Sequence, residues 1–181
     1  VARTRETVLR AGRELLEGEG PDAVTHLRIG EATGIARTTI YRHWPDRESL
    51  LAAVLTETSG NAAEIDSGDL RDDLHLYLEQ LRRGTTGRRD RHGMAQVMAR
   101  ADYDGTFADL RRERIERRLA PLREVLARAI ERGDLSEDLD VDDAAVDFVA
   151  PVFFRRFFLG ERLSDERLDA LVDRFVADHR P

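Results

Sequence analysis

Apolar positions recur along most of this chain at helical spacing, and no stretch alternates strictly enough to suggest a half-buried strand. Val8, Ala11, Leu15 and Leu16 give a first helix over 6–17, closed by Gly18, Gly20 and Pro21. Leu27, Ile29 and Ala32 mark a short second helix with Thr25 as N-cap and Gly34 as terminator. A third short helix runs through Ile40 to Trp44. Pro45 lacks an N–H and pushes Trp44 out of helical geometry, so Asp46 can cap the next helix, which carries Leu50, Leu51, Val54, Leu55 and Thr58 and weakens at Ser59-Gly60.

Beyond residue 60 the stripes lengthen. Leu70, Leu74, Tyr77, Leu78 and Leu81 form one amphipathic face; Met94, Val97, Met98 and Ala101 mark a short helix. Thr106 or Asp109 opens a long helix with Leu110, Ile115, Leu119, Leu122, Leu126, Ala129 and Ile130, ended by Gly133, with a kink or break expected at Pro121. Residues 84–93, rich in Gly and Arg, show no periodicity and read as a mobile basic loop without the Gly-Lys-Ser/Thr of a P-loop. The stretch 141–159 is apolar nearly all round, so it requires two partners, and Pro151 should bend it. Ser164 then caps a last helix with Leu168, Leu171, Val172, Phe175 and Val176. The fold class is all-α.

The 181 residues carry a formal charge of −7, with 36% charged and 41% apolar residues, enough for a core and against disorder. Charge is uneven: residues 1–50 hold eight Arg against eight acids, and the remainder 21 against 28. Every cation is Arg. No Cys is present, which removes disulfides and cysteine metal sites and fits a reducing, cytoplasmic setting. The greasiest run, 152–159, is short and broken by Arg155 and Arg156, so no membrane partner is expected and the chain should be soluble. No leader of basic and apolar residues opens the sequence.

Chemistry-bearing residues gather on the third helix. Ile35, Ile40 and Trp44 fit an inward face, while Arg37, Thr38, Tyr41 and Arg42 project outward. Two short helices joined through a Gly turn, one with guanidinium, hydroxyl and phenol groups outward, match what phosphate and base-edge contacts require. The same geometry also serves plain helix packing.

The wording of the stretch decides between them. Thr25, Ile29-Gly30, Thr33-Gly34-Ile35, Thr39-Ile40-Tyr41-Arg42-His43-Trp44-Pro45 and Arg47-Glu48 with Leu50 resemble, in order, the N-terminal signature of the tetracycline-repressor (TetR) family of transcription regulators. Three departures stand out. Gly30 replaces a small Ala at a cost of up to about 1 kcal/mol in helix propensity. His26 stands where an apolar residue is common, and Ala36 where a Ser or Thr cap is common.

The resemblance implies an N-terminal three-helix helix-turn-helix domain over 1–48 and a larger helical ligand-sensing and dimerisation domain over 49–181. It places Arg37, Thr38 and Thr39 on bases and Thr25, Tyr41, His43 and Arg47 on phosphates, with Arg42 among the outward cations; Arg47 has a physical reason too, as a cation beside a helix first turn. It implies a homodimer binding double-stranded DNA at a near-palindrome, released by a small-molecule effector. The last two helices would form half of a four-helix bundle, with Val152, Phe153, Phe157, Leu168, Leu171, Val172 and Phe175 at the interface. Aromatic and Met side chains supply a candidate effector lining: Tyr77, Met94, Met98, Tyr103, Phe107, Phe148 and Phe154.

Enzyme chemistry finds no foothold: the His at 26, 43, 75, 92 and 179 form no His-Glu-x-x-His pair, and no Gly-x-Ser-x-Gly elbow appears. No catalytic residue and no cofactor is expected. Residues 138–143 suggest a calcium loop but lack its central Gly and its terminal Glu, so no metal is expected and Asp140 reads as an N-cap. A helical protein-binding adaptor, or an activator without an effector, is the alternative.

Overall fold

The computed structural model describes residues 2–57, 65–86 and 88–181. Among them are nine α-helices and no strand: α1 (Ala2–Glu19), α2 (His26–Thr33), α3 (Arg37–His43), α4 (Arg47–Glu57), α5 (Leu70–Thr86), α6 (Arg88–Arg100), α7 (Gly105–Arg132), α8 (Val141–Phe157) and α9 (Asp165–Asp178). A 3-10 turn at Pro21–Ala23 links α1 to α2. The expected weakening of the fourth helix at Ser59-Gly60 lies outside the described residues.

Packing divides the chain into two units, 1–60 with 88–114 and 61–87 with 115–181. Leu50, Leu51, Val54 and Leu55 of α4 are buried with Val8, Leu9 and Leu16 of α1, Ile29, Ile40 and Trp44, and this core also takes in Val97 and Phe107. In the first unit α1 and α4 approach so closely at Gly12 that an added Cβ would stand 2.5 Å from Val54 Cγ2. Buried Arg114, on α7, donates from its guanidinium to the Leu55 carbonyl at 3.1 Å, near the last turn of α4.

The second unit buries Leu74, Tyr77 and Leu78 of α5, Leu122, Val125 and Leu126 of α7, Ala145, Phe148 and Val152 of α8, and Leu168, Val172 and Phe175 of α9. The Tyr77 hydroxyl donates to the Arg118 carbonyl at 3.0 Å, and burial pushes its pKa up to about 12. Asp140 caps α8 by accepting the N–H groups of Asp142 and Asp143, as its position in the sequence suggests. Ser164 precedes α9 without a side-chain cap; instead Arg82 donates to the Leu163 carbonyl at 3.1 Å and to Asp165 at 2.5 Å.

One expectation is corrected and another is narrowed. The stretch 84–93 is helical on both sides of Gly87, itself outside the described residues. Tertiary contacts replace the missing periodicity: Thr85 is buried with its carbonyl accepting from Arg156 Nε at 2.9 Å, and Gly93 lies where a Cβ would meet Leu55 Cδ2 at 2.9 Å. Pro121 lies inside α7 without breaking it. That helix instead begins with Asp104 accepting the Thr106 N–H and ends where Gly133 turns left-handed at φ 79°.

Candidate nucleic-acid interface

The helix-turn-helix is built by local chemistry. Thr25 Oγ1 accepts the Arg28 N–H at 3.2 Å, starting α2. Gly34, at φ 71° and ψ 5°, ends it in a conformation that costs other residues a Cβ clash. Thr33 adds a second tie, donating to the Ile29 carbonyl and accepting the Ile35 N–H. Helix α3 then starts at Arg37 with no side-chain cap, since Ala36 has no oxygen to offer. Gly30 finds its reason here: a Cβ would stand 3.3 Å from both Arg37 Cγ and the Ile35 carbonyl, so its absence lets the Arg37 stem lie against α2.

Buried Ile40 and Trp44 anchor α3 on the first core, which leaves Arg37, Thr38, Tyr41 and Arg42 exposed on the opposite side. Thr39 and His43 are half-buried, His43 tilted against the Trp44 ring at 5.6 Å. The Arg5 guanidinium of α1 lies 5.9 Å over that same indole. After Pro45, Asp46 Oδ1 accepts the Ser49 N–H at 2.7 Å, and this bond holds the Asp46 carboxyl below its ordinary value.

Arg47, expected on a phosphate, makes bonds within the chain. Its guanidinium donates to the Pro21 carbonyl at 2.8 Å, the Val24 carbonyl at 3.3 Å and Asp22 Oδ1 at 3.1 Å. Through Nε and Nη2 the cation tethers α4 to the α1–α2 connection. Arg28 is likewise engaged, donating twice to Glu19, which raises its own pKa and lowers that of the carboxylate.

His26 makes contacts to the third helix that sequence reasoning passed over. It is 4% exposed, its Nε2 lies 2.7 Å from the Trp44 carbonyl, and its ring stacks on Tyr41 with centroids 3.9 Å apart and planes 8° from parallel. The only signal for it was a polar residue at a position where apolar ones are common.

The expected effector residues are divided between the two units. Phe107 is fully buried in the first core beneath the Arg100 guanidinium, whereas Tyr77 and Phe148 belong to the second core, Phe148 tilted against Phe175 at 4.7 Å. Tyr103 is 92% exposed, and Met98 and Phe154 are exposed as well. The Met94 side chain lies outside the described residues. A shallow open groove of about 200 Å³ lies instead between α8 and α9, lined by Pro151, Arg155, Leu163, Arg167, Ala170, Leu171 and Arg174.

The expected interface residues fall into two groups. Val152, Leu168, Val172 and Phe175 are buried within the chain's own core, Phe153 and Leu171 are half-buried against it, and Phe157 is half-buried. The first four have little surface left for a second copy, whereas the other three keep part of theirs. The outward face of α8 is another stripe, Val146, Ala150, Phe154 and Phe158 at i, i+4, i+8 and i+12, with the rings of Phe154 and Phe158 stacked at 5.2 Å.

Among the described residues no three His, Cys, Asp or Glu side chains converge as a metal site, and no helix is long and apolar enough to cross a membrane.

Comparison with known proteins agrees with this architecture over nearly the whole chain. Residues 8–54 match the family of bacterial regulatory proteins of the tetR type, and residues 64–175 match the tetracyclin repressor-like C-terminal domain. The DNA-binding transcriptional repressor TetR of Mycobacteroides abscessus is 30% identical over 175 residues, covering 94% of this chain and 90% of its own. The crystal structure of the TetR-family regulator SCO0332 superposes with a TM-score of 0.76 at 28% identity, covering 98% of both chains. A transcriptional regulator of Saccharomonospora viridis, crystallised with choline, shares the fold at a TM-score of 0.68 and 18% identity, with 98% of this chain and 97% of that one covered. A helix-turn-helix with a cationic, solvent-facing third helix, followed by a helical C-terminal half matched along its length, makes this chain a member of the TetR family of DNA-binding transcriptional regulators.

Proposed function

We propose that the protein is a dimeric repressor that holds a near-palindromic operator and is released from it by a small-molecule effector. The observation that carries this reading is the outward face of α3, where Arg37, Thr38, Tyr41 and Arg42 are all exposed while Ile40 and Trp44 hold the helix from beneath. In the major groove, Arg37, Thr38 and Thr39 face base edges, where a guanidinium can take both acceptors of a guanine. Tyr41, Arg42, His43 and Thr25 face phosphates. The Thr25 oxygen accepts the cap bond with a lone pair, so its hydroxyl proton remains to donate.

A single α3 reads only a few base pairs, so a second copy is needed to double the contacts. The exposed stripe Val146, Ala150, Phe154 and Phe158 is the surface a two-fold related copy would cover, since stacked phenyl rings in water are costly to leave bare. The effector binds within the C-terminal half, a reading supported by the match of residues 64–175 to the tetracyclin repressor-like C-terminal domain. It must prefer the conformation that does not hold DNA, and DNA then weakens effector binding by the same factor.

The test is selection of bound duplexes from fragments of the source genome, followed by release with candidate compounds. Recovery of a sequence with two inverted half-sites about one helical turn apart, freed by one class of compound, is the expected result. Retention of no duplex at low salt would end the reading.

A further inference from the structure

We propose that His26 is a positioning residue for DNA binding, fixing both the Tyr41 phenol and the C-terminal end of α3. The inference rests on the reading of Tyr41 as a phosphate contact. His26 is the first residue of α2, yet both of its contacts are to the recognition helix and the residue that ends it. The Trp44 carbonyl has no proton to give, so the hydrogen bond at 2.7 Å requires Nε2 to be the protonated nitrogen. Trp44 is the C-cap of α3 and is followed by Pro45, so the bond clamps the place where the helix ends.

The second contact acts on Tyr41 itself. Tyr41 is 49% exposed, and a side chain so placed on a surface helix ordinarily exchanges rotamers. Here the imidazole plane lies parallel beneath the phenol ring, 3.9 Å away, which leaves one ring face covered and the hydroxyl directed by the stack. An apolar residue at 26 would fill the volume. It would supply neither the flat platform nor the donor to Trp44, and the aim of the phenol would be lost while the core stayed closed.

A double-mutant comparison separates this role from core packing. Affinity is measured on one duplex recovered by selection from a random-sequence library, for wild type, Tyr41→Phe, His26→Leu and the double variant. Tyr41→Phe removes only the hydroxyl and is expected to weaken binding about tenfold. His26→Leu is expected to weaken it to a similar degree, and the double variant no further than His26→Leu alone. His26→Gln, which keeps an N–H near the Nε2 position and a flat amide under the ring, should recover most of the loss. Trp44 is the only tryptophan, so its emission should shift in His26→Leu and return toward wild type in His26→Gln.

Losses that multiply in the double variant overturn the proposal while leaving Tyr41 a DNA contact. A Tyr41→Phe protein that binds as wild type overturns the phosphate reading, and the proposal with it. If His26→Leu does not fold, His26→Met, an adaptable apolar side chain with neither donor nor flat ring, and its double with Tyr41→Phe carry the same comparison, and multiplying losses there have the same meaning.

Discussion

The Arg114 guanidinium donates to the Leu55 carbonyl at 3.1 Å, so that a residue of α7 holds a backbone oxygen of α4. Arg114 is the last residue of α7 that packs with the first unit; from Ile115 onward the same helix belongs to the second. A buried charge held by a carbonyl loses part of its compensation if either side is altered. Arg114→Met, of similar volume, should lower stability by about 1.5–3 kcal/mol, the range for a hydrogen bond to a charged group. Thermal melting reads it, and an unchanged midpoint would show that the bond contributes nothing.

Gly12 and Gly18, both on α1, should respond to alanine in opposite directions. A methyl at Gly12 would lie 2.5 Å from Val54 Cγ2, on a fully buried, branched side chain with little room to turn, and overpacking of this kind costs about 1–3 kcal/mol. At Gly18 a Cβ would meet nothing within 4 Å, so Gly18→Ala gains helix propensity worth up to about 1 kcal/mol. The two midpoints should fall on either side of wild type; a stabilised Gly12→Ala would mean that α1 and α4 can separate at no cost.

Arg37 and Tyr41 should divide specificity from affinity. Arg37→Ala is expected to lose more on the selected duplex than on random DNA, relaxing base preference, whereas Tyr41→Phe should weaken both alike. Competition binding against a mixed duplex pool distinguishes them. Equal losses for Arg37→Ala on both targets would contradict its place at the base edges.

Arg47 and Arg42 differ in kind despite sharing a guanidinium. Arg42 is exposed, and its replacement by Ala should reduce the slope of log affinity against log salt by about 1. Arg47 spends its donors on Pro21, Val24 and Asp22, so Arg47→Ala should lower the melting temperature and leave that slope near wild type. A slope that drops equally for both would place Arg47 on a phosphate after all.

Asp46 predicts an acid limb. The Ser49 N–H holds its carboxyl below the ordinary 3.8, so folding is favoured above that value and the contribution is lost as pH falls toward the depressed one. Melts between pH 7 and pH 3 should show a shallower acid limb for Asp46→Asn than for wild type. Parallel curves would remove Asp46 from the titration.

The local punctuation of this chain was legible without coordinates because it depends on neighbours a few residues apart. Thr25, Gly34, Asp140 and Gly133 end or begin helices through bonds and backbone angles set within one turn, and the inward pair Ile40 and Trp44 followed from spacing alone. The same holds for the outward Arg37, Thr38, Tyr41 and Arg42. Residues whose partners lie far away in sequence were decided by the tertiary structure. Arg47 has the composition of a phosphate arm and is taken by carbonyls more than twenty positions upstream. His26 looks like a misplaced polar residue until Trp44 and Tyr41 close over it. On α8, apolar on most sides, periodicity named the candidates but had no means to say which faced inward; α5 and α9 claimed Val152 and its neighbours and left Phe154 and Phe158 outside. Spacing reports which side chains share a face, and only the packed neighbours determine which face is covered.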